Sequence, residues 1–260
     1  MENSLVSILI PTFNSEKFIA DALLSVQNQT FQNWEIIIVD DASTDQTVAL
    51  ISKIAQSDAR IKWFQLSKNS GTGVARNTAL IHATGRYIAF LDADDLWKPY
   101  KLQKQLNFMQ TNAIPFTFSA YDCMNEEGDL LNLSVVPPQN LSYRQLFFCN
   151  YVGNLTGIYD TDFFGKIEIL SKRKRQDWMH WLTLLKKIKM AKAVPESLAI
   201  YRVRANSISA SKIDLVKHNF AVYKQYHRYN WIMALSCMMI FLVTQLMIKP
   251  FYIKKVPAQT

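Results

Sequence analysis

Four short runs rich in apolar residues constrain this chain more than anything else in it. They lie at 5–10 (LVSILI), 34–39 (WEIIIV), 61–66 (IKWFQL) and 87–91 (YIAFL). Each is of strand length, and the stretches between them carry helical spacing. Phe18, Ile19, Ala22, Leu23 and Val26 follow the first run, Val48, Ile51 and Ile54 the second, and residues 74–83 the third. The apolar stretch of the second run is continuous, which a strand tolerates when both faces of its sheet are covered. Strand–helix alternation of this kind predicts an α/β fold. Its central sheet is mostly parallel and Rossmann-like, with right-handed crossovers and helices on both faces.

The punctuation after each run comes next. Pro11 has no N–H to give a ladder and is expected to end the first strand. Thr12, Phe13 and Asn14 then form a turn, and Ser15 is the expected helix cap. Asp40 and Asp41 close the second strand. Asp41 is placed to accept a hydrogen bond from a nucleobase or ribose, or else the pair simply caps a turn. The third run leads into Asn69-Ser70-Gly71-Thr72-Gly73. Its GxG is a weak signal, because Arg76 stands where a dinucleotide fingerprint has glycine. Gly71 would let the backbone approach a ligand, and Arg76 faces that ligand or is a surface arginine. Thr84-Gly85 reads as a left-handed helix end.

The fourth run ends in Asp92, Asp94 and Asp95. Carboxylates so close repel one another and call for water, a cation or a metal. Hard oxygen ligands completed by substrate phosphates suit Mg2+ or Mn2+; an Asp-rich cap before Trp97 is the plainer reading. Open α/β sheets bind ligands at the carboxyl ends of their strands, where all these loops converge.

The second half changes style. Residues 102–109 have a helical apolar face. The turn Asn125–Asp129 separates two strands, at 116–121 and 130–136. Residues 143–149 are ambiguous, and 153–159 and 197–203 read as strands. The segment Lys172-Arg173-Lys174-Arg175 is either a solvated loop or a clamp on an anion. Asp177 opens a helix carrying Trp178, Trp181, Leu182 and Leu185; the free N–H groups there favour a charged carboxylate, as either a base or a cap. Arg202 and Arg204 end the late strand, and 212–228 is amphipathic through Ile213, Val216, Phe220 and Tyr223. The histidines lack metal-binding spacing.

Net charge is +8, spread too evenly to choose among nucleic acid, membrane and phosphorylated substrates. Three dispersed cysteines argue against a zinc site or disulfide framework. The first residues carry no basic, signal-like segment, so the main domain is expected in the cytoplasm.

Taken together, the motifs resemble the family 2 glycosyltransferases of bacteria, which have the GT-A fold. The matching pieces are SILIPTFN (7–14), SVQNQTFQNWEIIIVDDASTDQT (25–47), NSGTGVARNTAL (69–80), GRYIAFLDADDLW (85–97), RQDWMHWL (175–182) and YRVRANSIS (201–209). The last two are similar to a subgroup building teichuronic-acid-type and capsular polysaccharides. The resemblance implies a catalytic domain over 1–210 that inverts the anomeric centre of a nucleotide-sugar donor, usually UDP-linked, with Mn2+ or Mg2+. It implies Pro11, Thr12 and Asn14 against the nucleoside, Asp41 on the base, Asp92 near the ribose and Asp94 on the metal. It puts Asp177 in the place of the catalytic base. Many members have histidine where Arg204 stands; arginine cannot ligate a metal but pairs with phosphate oxygens. Gln176 replaces the usual acid before the base. A nucleotidyltransferase and a noncatalytic nucleotide-sugar-binding subunit are the alternatives, and nucleic acid is not an expected partner.

The tail, 211–260, pairs the amphipathic helix with about 18 uncharged residues at 231–248. At roughly 1.5 Å per residue these barely cross a core of about 30 Å. Lys217, Lys224 and Arg228 precede them, and Lys249, Lys254 and Lys255 follow, so neither direction is favoured. The expectation is a peripheral or monotopic protein of the inner membrane's cytoplasmic face, drawn to anionic lipid and serving a lipid-linked glycan acceptor. The alternative is a helix buried on the catalytic domain.

Overall fold

The computed structural model describes residues 4–170, 174–204 and 212–256. Lys172, Arg173, residues 205–209 of the last motif and the Ile213 side chain lie outside the described parts.

The first half alternates as expected: β1 (Val6–Thr12), α1 (Ile19–Gln27), β2 (Trp34–Asp40), α2 (Thr47–Ser57), β3 (Ile61–Gln65), α3 (Thr72–His82) and β4 (Tyr87–Phe90). The strands lie in the order β3-β2-β1-β4, all parallel. Alternate side chains enter two cores. Leu9, Ile37, Val39, Ile88 and Phe90 face α3 on one side, while Ile8, Ile10, Ile36, Ile38 and Ala89 face α1 and α2 on the other. The chain reverses direction in the sheet between β1 and β4, so their carboxyl ends leave a crevice.

The second half supplies β5 (Leu96–Trp97), α4 (Lys101–Thr111), β6 (Phe116–Met124), β7 (Leu130–Val135), β8 (Asn140–Ser142), α5 (Tyr143–Phe148), β9 (Ile158–Asp160), α6 (Thr161–Phe164), α7 (Gln176–Leu185) and β10 (Met190–Arg202). Here the sheet turns mixed. β9 runs antiparallel between β4 and β6, β7 forms the expected hairpin with β6, and β10 lies parallel to β6. β10 also pairs with β5, Ile200 opposite Leu96, which brings the end of β10 against the acidic turn after β4.

Several local expectations are corrected. Pro11 lies inside β1, opposite Val39, and the strand runs on to Thr12. Ser15 does not cap α1; Phe18 does, and the Ser15 N–H donates to Thr47 Oγ1 at 2.7 Å. Gly85 has no left-handed φ. A Cβ there would sit 2.6 Å from the Leu5 carbonyl oxygen and 2.7 Å from the Ser7 nitrogen, so close approach to β1 demands glycine. Residues 143–148 are helical because Ser142 and Gln145 form a capping box. Asn154–Thr156 is a 3-10 turn, so the strand expected from 153 begins only at Ile158. Arg175, at φ 64, caps α7, leaving Asp177 as its second residue.

The tail forms α8 (Lys212–Ala221), α9 (Trp231–Val243) and β11 (Ile253–Lys255). Helical turns continue past α9, giving one helix of 22 residues from Trp231 to Tyr252 with an 18-residue stretch of mean hydropathy 2.1, long and apolar enough to cross a membrane. Ala234, Cys237, Met238 and Phe241 pack into the same core as Trp178 and Tyr223. Phe241 and Trp178 rings lie 5.4 Å apart. The chain then returns to the sheet, β11 pairing with β7. One stripe of the helix is therefore buried on the domain, while Ile232, Leu246 and Phe251 are among residues left exposed.

Candidate active site

The crevice is built where the ends of several elements meet. β1 delivers Pro11 and Thr12, both buried. Thr12 Oγ1 is buried without a hydrogen-bond partner, an unspent polar atom where a ligand would enter. Asn14, at φ 46, is exposed and ties two loops together. Its N–H donates to Ser43 Oγ at 2.8 Å, and its Oδ1 accepts from the Thr44 N–H at 2.9 Å. Phe13, between them, is 45% exposed. The sequence reading passed it over because a lone aromatic in a turn carries no periodic signal.

The two aspartates after β2 separate in role. Asp40 closes its own turn, accepting from the Ser43 N–H at 2.9 Å. Asp41 reaches across to the glycine-containing loop, accepting from the Ser70 N–H and the Gly71 N–H, each at 2.7 Å. Gly71 has φ 90, which a side chain would strain, and that conformation aims both N–H groups at Asp41. The carboxylate expected to meet a base thus also holds the loop that starts α3.

α3 carries Arg76, which is not a surface residue. It is 7% exposed. Its Nη2 donates to Asp92 Oδ1 at 2.5 Å and its Nη1 to Gln176 Oε1 at 3.3 Å, joining the acidic turn to the start of α7 across 100 residues. Asn154 Nδ2 adds a second donor to Asp92 at 3.2 Å.

Asp94 is paired with Arg204, whose Nη1 donates to Oδ2 at 2.8 Å. Burial, followed by the charge of Asp92, pushes the Asp94 carboxyl up; Arg204 offsets this only in part. Asp95 is fully enclosed. It accepts from the Arg202 N–H at 2.9 Å, and burial raises its carboxyl well above the ordinary range. Arg202 is 4% exposed. Its Nε and Nη1 donate to the carbonyls of Asp94 and Glu126, so it braces the turn from beneath. Arg204, 26% exposed at its side chain, is the arginine on the open side. Both guanidinium groups stack on Phe18.

Asp177 accepts from Asn150 Nδ2 at 2.8 Å. Sequence reasoning missed Asn150 and Asn154, because isolated asparagines in loops leave no pattern. Asp92 and Asp94 present hard oxygen donors on a turn with excess negative charge, a donor set that fits Mg2+ or Mn2+ arriving with a diphosphate. Among the described residues they belong to no larger cluster of metal-ligating side chains, so substrate oxygens and water would complete the shell.

Residues 7–172 match the model described as Glycosyl transferase family 2. TuaG of Bacillus subtilis strain 168, named for teichuronic acid biosynthesis, is 41% identical over 233 residues, covering 90% of this chain and 92% of TuaG. WfgD of Escherichia coli is named a UDP-Glc:α-D-GlcNAc-diphosphoundecaprenol β-1,3-glucosyltransferase. It is 34% identical over 223 residues, 85% of this chain and 86% of WfgD. Among solved structures, S. aureus TarS 1–349 in complex with UDP-GlcNAc superposes with a TM-score of 0.71 at 21% identity, over 94% of this chain and 73% of that one. That likeness is one of fold, GT-A.

Proposed function

The chain belongs to glycosyl transferase family 2, and from that premise we propose an inverting, metal-assisted transfer of a sugar from a UDP-sugar to a hydroxyl of a lipid-linked glycan. The observation that carries this reading is the Arg76 bridge. It ties Asp92 and Gln176 into one crevice, so the carboxylates suited to a donor diphosphate and the carboxylate suited to a base share a wall.

The donor's nucleoside lies against Pro11, Thr12 and Asn14, with the free Thr12 hydroxyl and the remaining lone pairs of Asp41 as its polar contacts. Asp92 lies toward the ribose. Asp92 and Asp94 would hold Mn2+ or Mg2+, which when bound neutralises charge on the departing diphosphate. Arg204 supplies a further cation there, while Arg202 keeps the Asp94 main chain in place. Asp177, steered by Asn150, takes the proton of the acceptor hydroxyl as that oxygen bonds to the anomeric carbon. The bond from that carbon to UDP breaks with its electron pair going to the diphosphate, so one displacement inverts the centre.

The acceptor class is supported by the name of WfgD, and a cell-surface polysaccharide product by that of TuaG. The apolar helix Trp231–Tyr252 with basic residues on both flanks supports attachment to the anionic cytoplasmic face of the inner membrane. Purified protein should release UDP from one of a panel of UDP-sugars with Mn2+ and stop in EDTA, and the product anomer read by NMR should be inverted. Retention of configuration, pyrophosphate release from a nucleoside triphosphate, or full turnover in EDTA would each overturn the corresponding part.

A further inference from the structure

The apolar helix reaches the crevice with one of its stripes. Gln245 Oε1 accepts from Cys149 Sγ at 3.6 Å, and Tyr252 packs edge-on against Tyr151 with centroids 5.1 Å apart. Lys249 lies four residues after Gln245 and three before Tyr252, on the same face of the helix. That face covers the segment 149–151, whose middle residue, Asn150, holds Asp177. Arg175 flanks the same place, its Nε donating to Asn219 Oδ1 of α8 at 2.6 Å. Burial holds the Lys249 ammonium below its ordinary range; Cys149 opposes this, and the charges of Arg175 and Asp177 act on it in opposite senses. Lys249 is half-buried, and among the described residues its ammonium makes no hydrogen bond or ion pair, while its main-chain N–H donates to the Thr244 carbonyl. A half-buried ammonium that no carboxylate holds at bonding distance keeps its charge available to an anionic ligand.

On its outward side the same helix is apolar and open, with Ile232 79%, Leu246 72% and Phe251 79% exposed. An apolar band, a cation and a carboxylate thus follow one another toward the crevice. A molecule with a hydrocarbon tail, an anionic junction and a hydroxylated head matches that order. We propose that Lys249, beside Arg175, forms a subsite for the diphosphate of a lipid-linked acceptor and so sets the acceptor hydroxyl against Asp177. The proposal rests on the acceptor class argued above and adds a residue outside the family-matched segment 7–172.

The test uses the full-length protein in neutral detergent, with farnesyl diphosphate and farnesol as probes and binding as the readout. Farnesyl diphosphate should bind more tightly than farnesol, and Lys249→Gln should remove about tenfold of that preference, the worth of one charge-assisted hydrogen bond. Farnesol binding should stay the same, which also reports that the variant is folded, and Lys249→Arg should keep most of the preference. Vesicles of phosphatidylglycerol separate the two sources of lipid phosphate. If Lys249→Gln weakens partition onto those vesicles but leaves the farnesyl preference intact, the lysine is a headgroup contact and the subsite is wrong. Competition between UDP and farnesyl diphosphate for one site would overturn it too, as would equal binding of both probes by the wild type. None of these readouts requires turnover, so a failed transfer assay sinks the proposed activity while the farnesyl contrast still decides Lys249.

Discussion

At the amino-terminal edge of the parallel strands, Glu35 accepts from Ser7 Oγ at 2.6 Å, the Thr84 N–H at 2.7 Å, Thr84 Oγ1 at 2.8 Å and Lys62 Nζ at 2.9 Å. Ser7 Oγ in turn accepts from the Gly85 N–H at 2.7 Å. At the carboxyl edge Asp94 has Arg204, while Thr12 Oγ1, Arg76 Nε and Arg204 Nε are buried without partners. Burial pushes both acids upward. Hydrogen bonds from Ser7, Lys62 and Thr84 outweigh it at Glu35 and bring the carboxyl down to about 2; at Asp94 the charge of Asp92 adds to burial and the carboxyl rises. One edge spends its polar groups on itself. The other holds them in reserve, which costs stability and leaves capacity for a charged ligand.

The sharpest break between the two edges should come from Asp177→Asn. A neutral amide cannot take the acceptor's proton, so transfer should fall by about 10²–10⁴-fold while the melting temperature and UDP binding hold. Wild-type turnover would make Asp177 only part of the helix start. Glu35→Ala is the mirror experiment. It strands Ser7 and the Thr84 N–H in the interior and should cost about 3 kcal/mol in denaturant unfolding, with kcat of the folded protein unaltered. A loss of kcat without loss of stability would erase the distinction between the edges.

Acid sharpens it further. The folded carboxyl of Glu35 lies near 2 against a model-peptide value of 4.5, so its stabilisation is complete above about 4.5 and drains as pH falls toward 2, by roughly 3 kcal/mol. Unfolding curves across that window should show the loss in the wild type and lack that share in Glu35→Gln. Equal slopes would mean that the network is not what holds the edge. The smallest effect belongs to Arg204→Ala, which should weaken UDP about tenfold and uridine scarcely at all. Equal weakening of both ligands in calorimetry would remove the phosphate contact.

Much of the carboxyl edge was legible because its signals are local. Each apolar run ends in a loop whose composition departs from the run, and strand–helix alternation sends those loops to one side of a parallel sheet. The glycine at 85 was misread for a related reason. A glycine after a helix looks like a helix end, and only the sheet shows β1 crossing where its Cβ would be. Arg76 could be weighed only as a ligand contact or a surface residue, since its partners Asp92 and Gln176 are 16 and 100 residues away.

The sequence by itself determined the strand order's raw material, the acidic and glycine-containing turns and the presence of an apolar tail, because period and composition report which side of an element avoids water. Only the tertiary structure decided what each buried side meets. It set Arg202 under the acidic turn and Arg204 on the open side, though two residues of like charge in one strand end read alike. It also folded the tail back, so that one stripe of the Trp231–Tyr252 helix covers Trp178 and the segment holding Asp177 while another stays bare. Hydrophobicity is non-directional. It can mark a surface for burial without naming the partner, and that choice falls to shape and to hydrogen bonds between residues far apart in the chain.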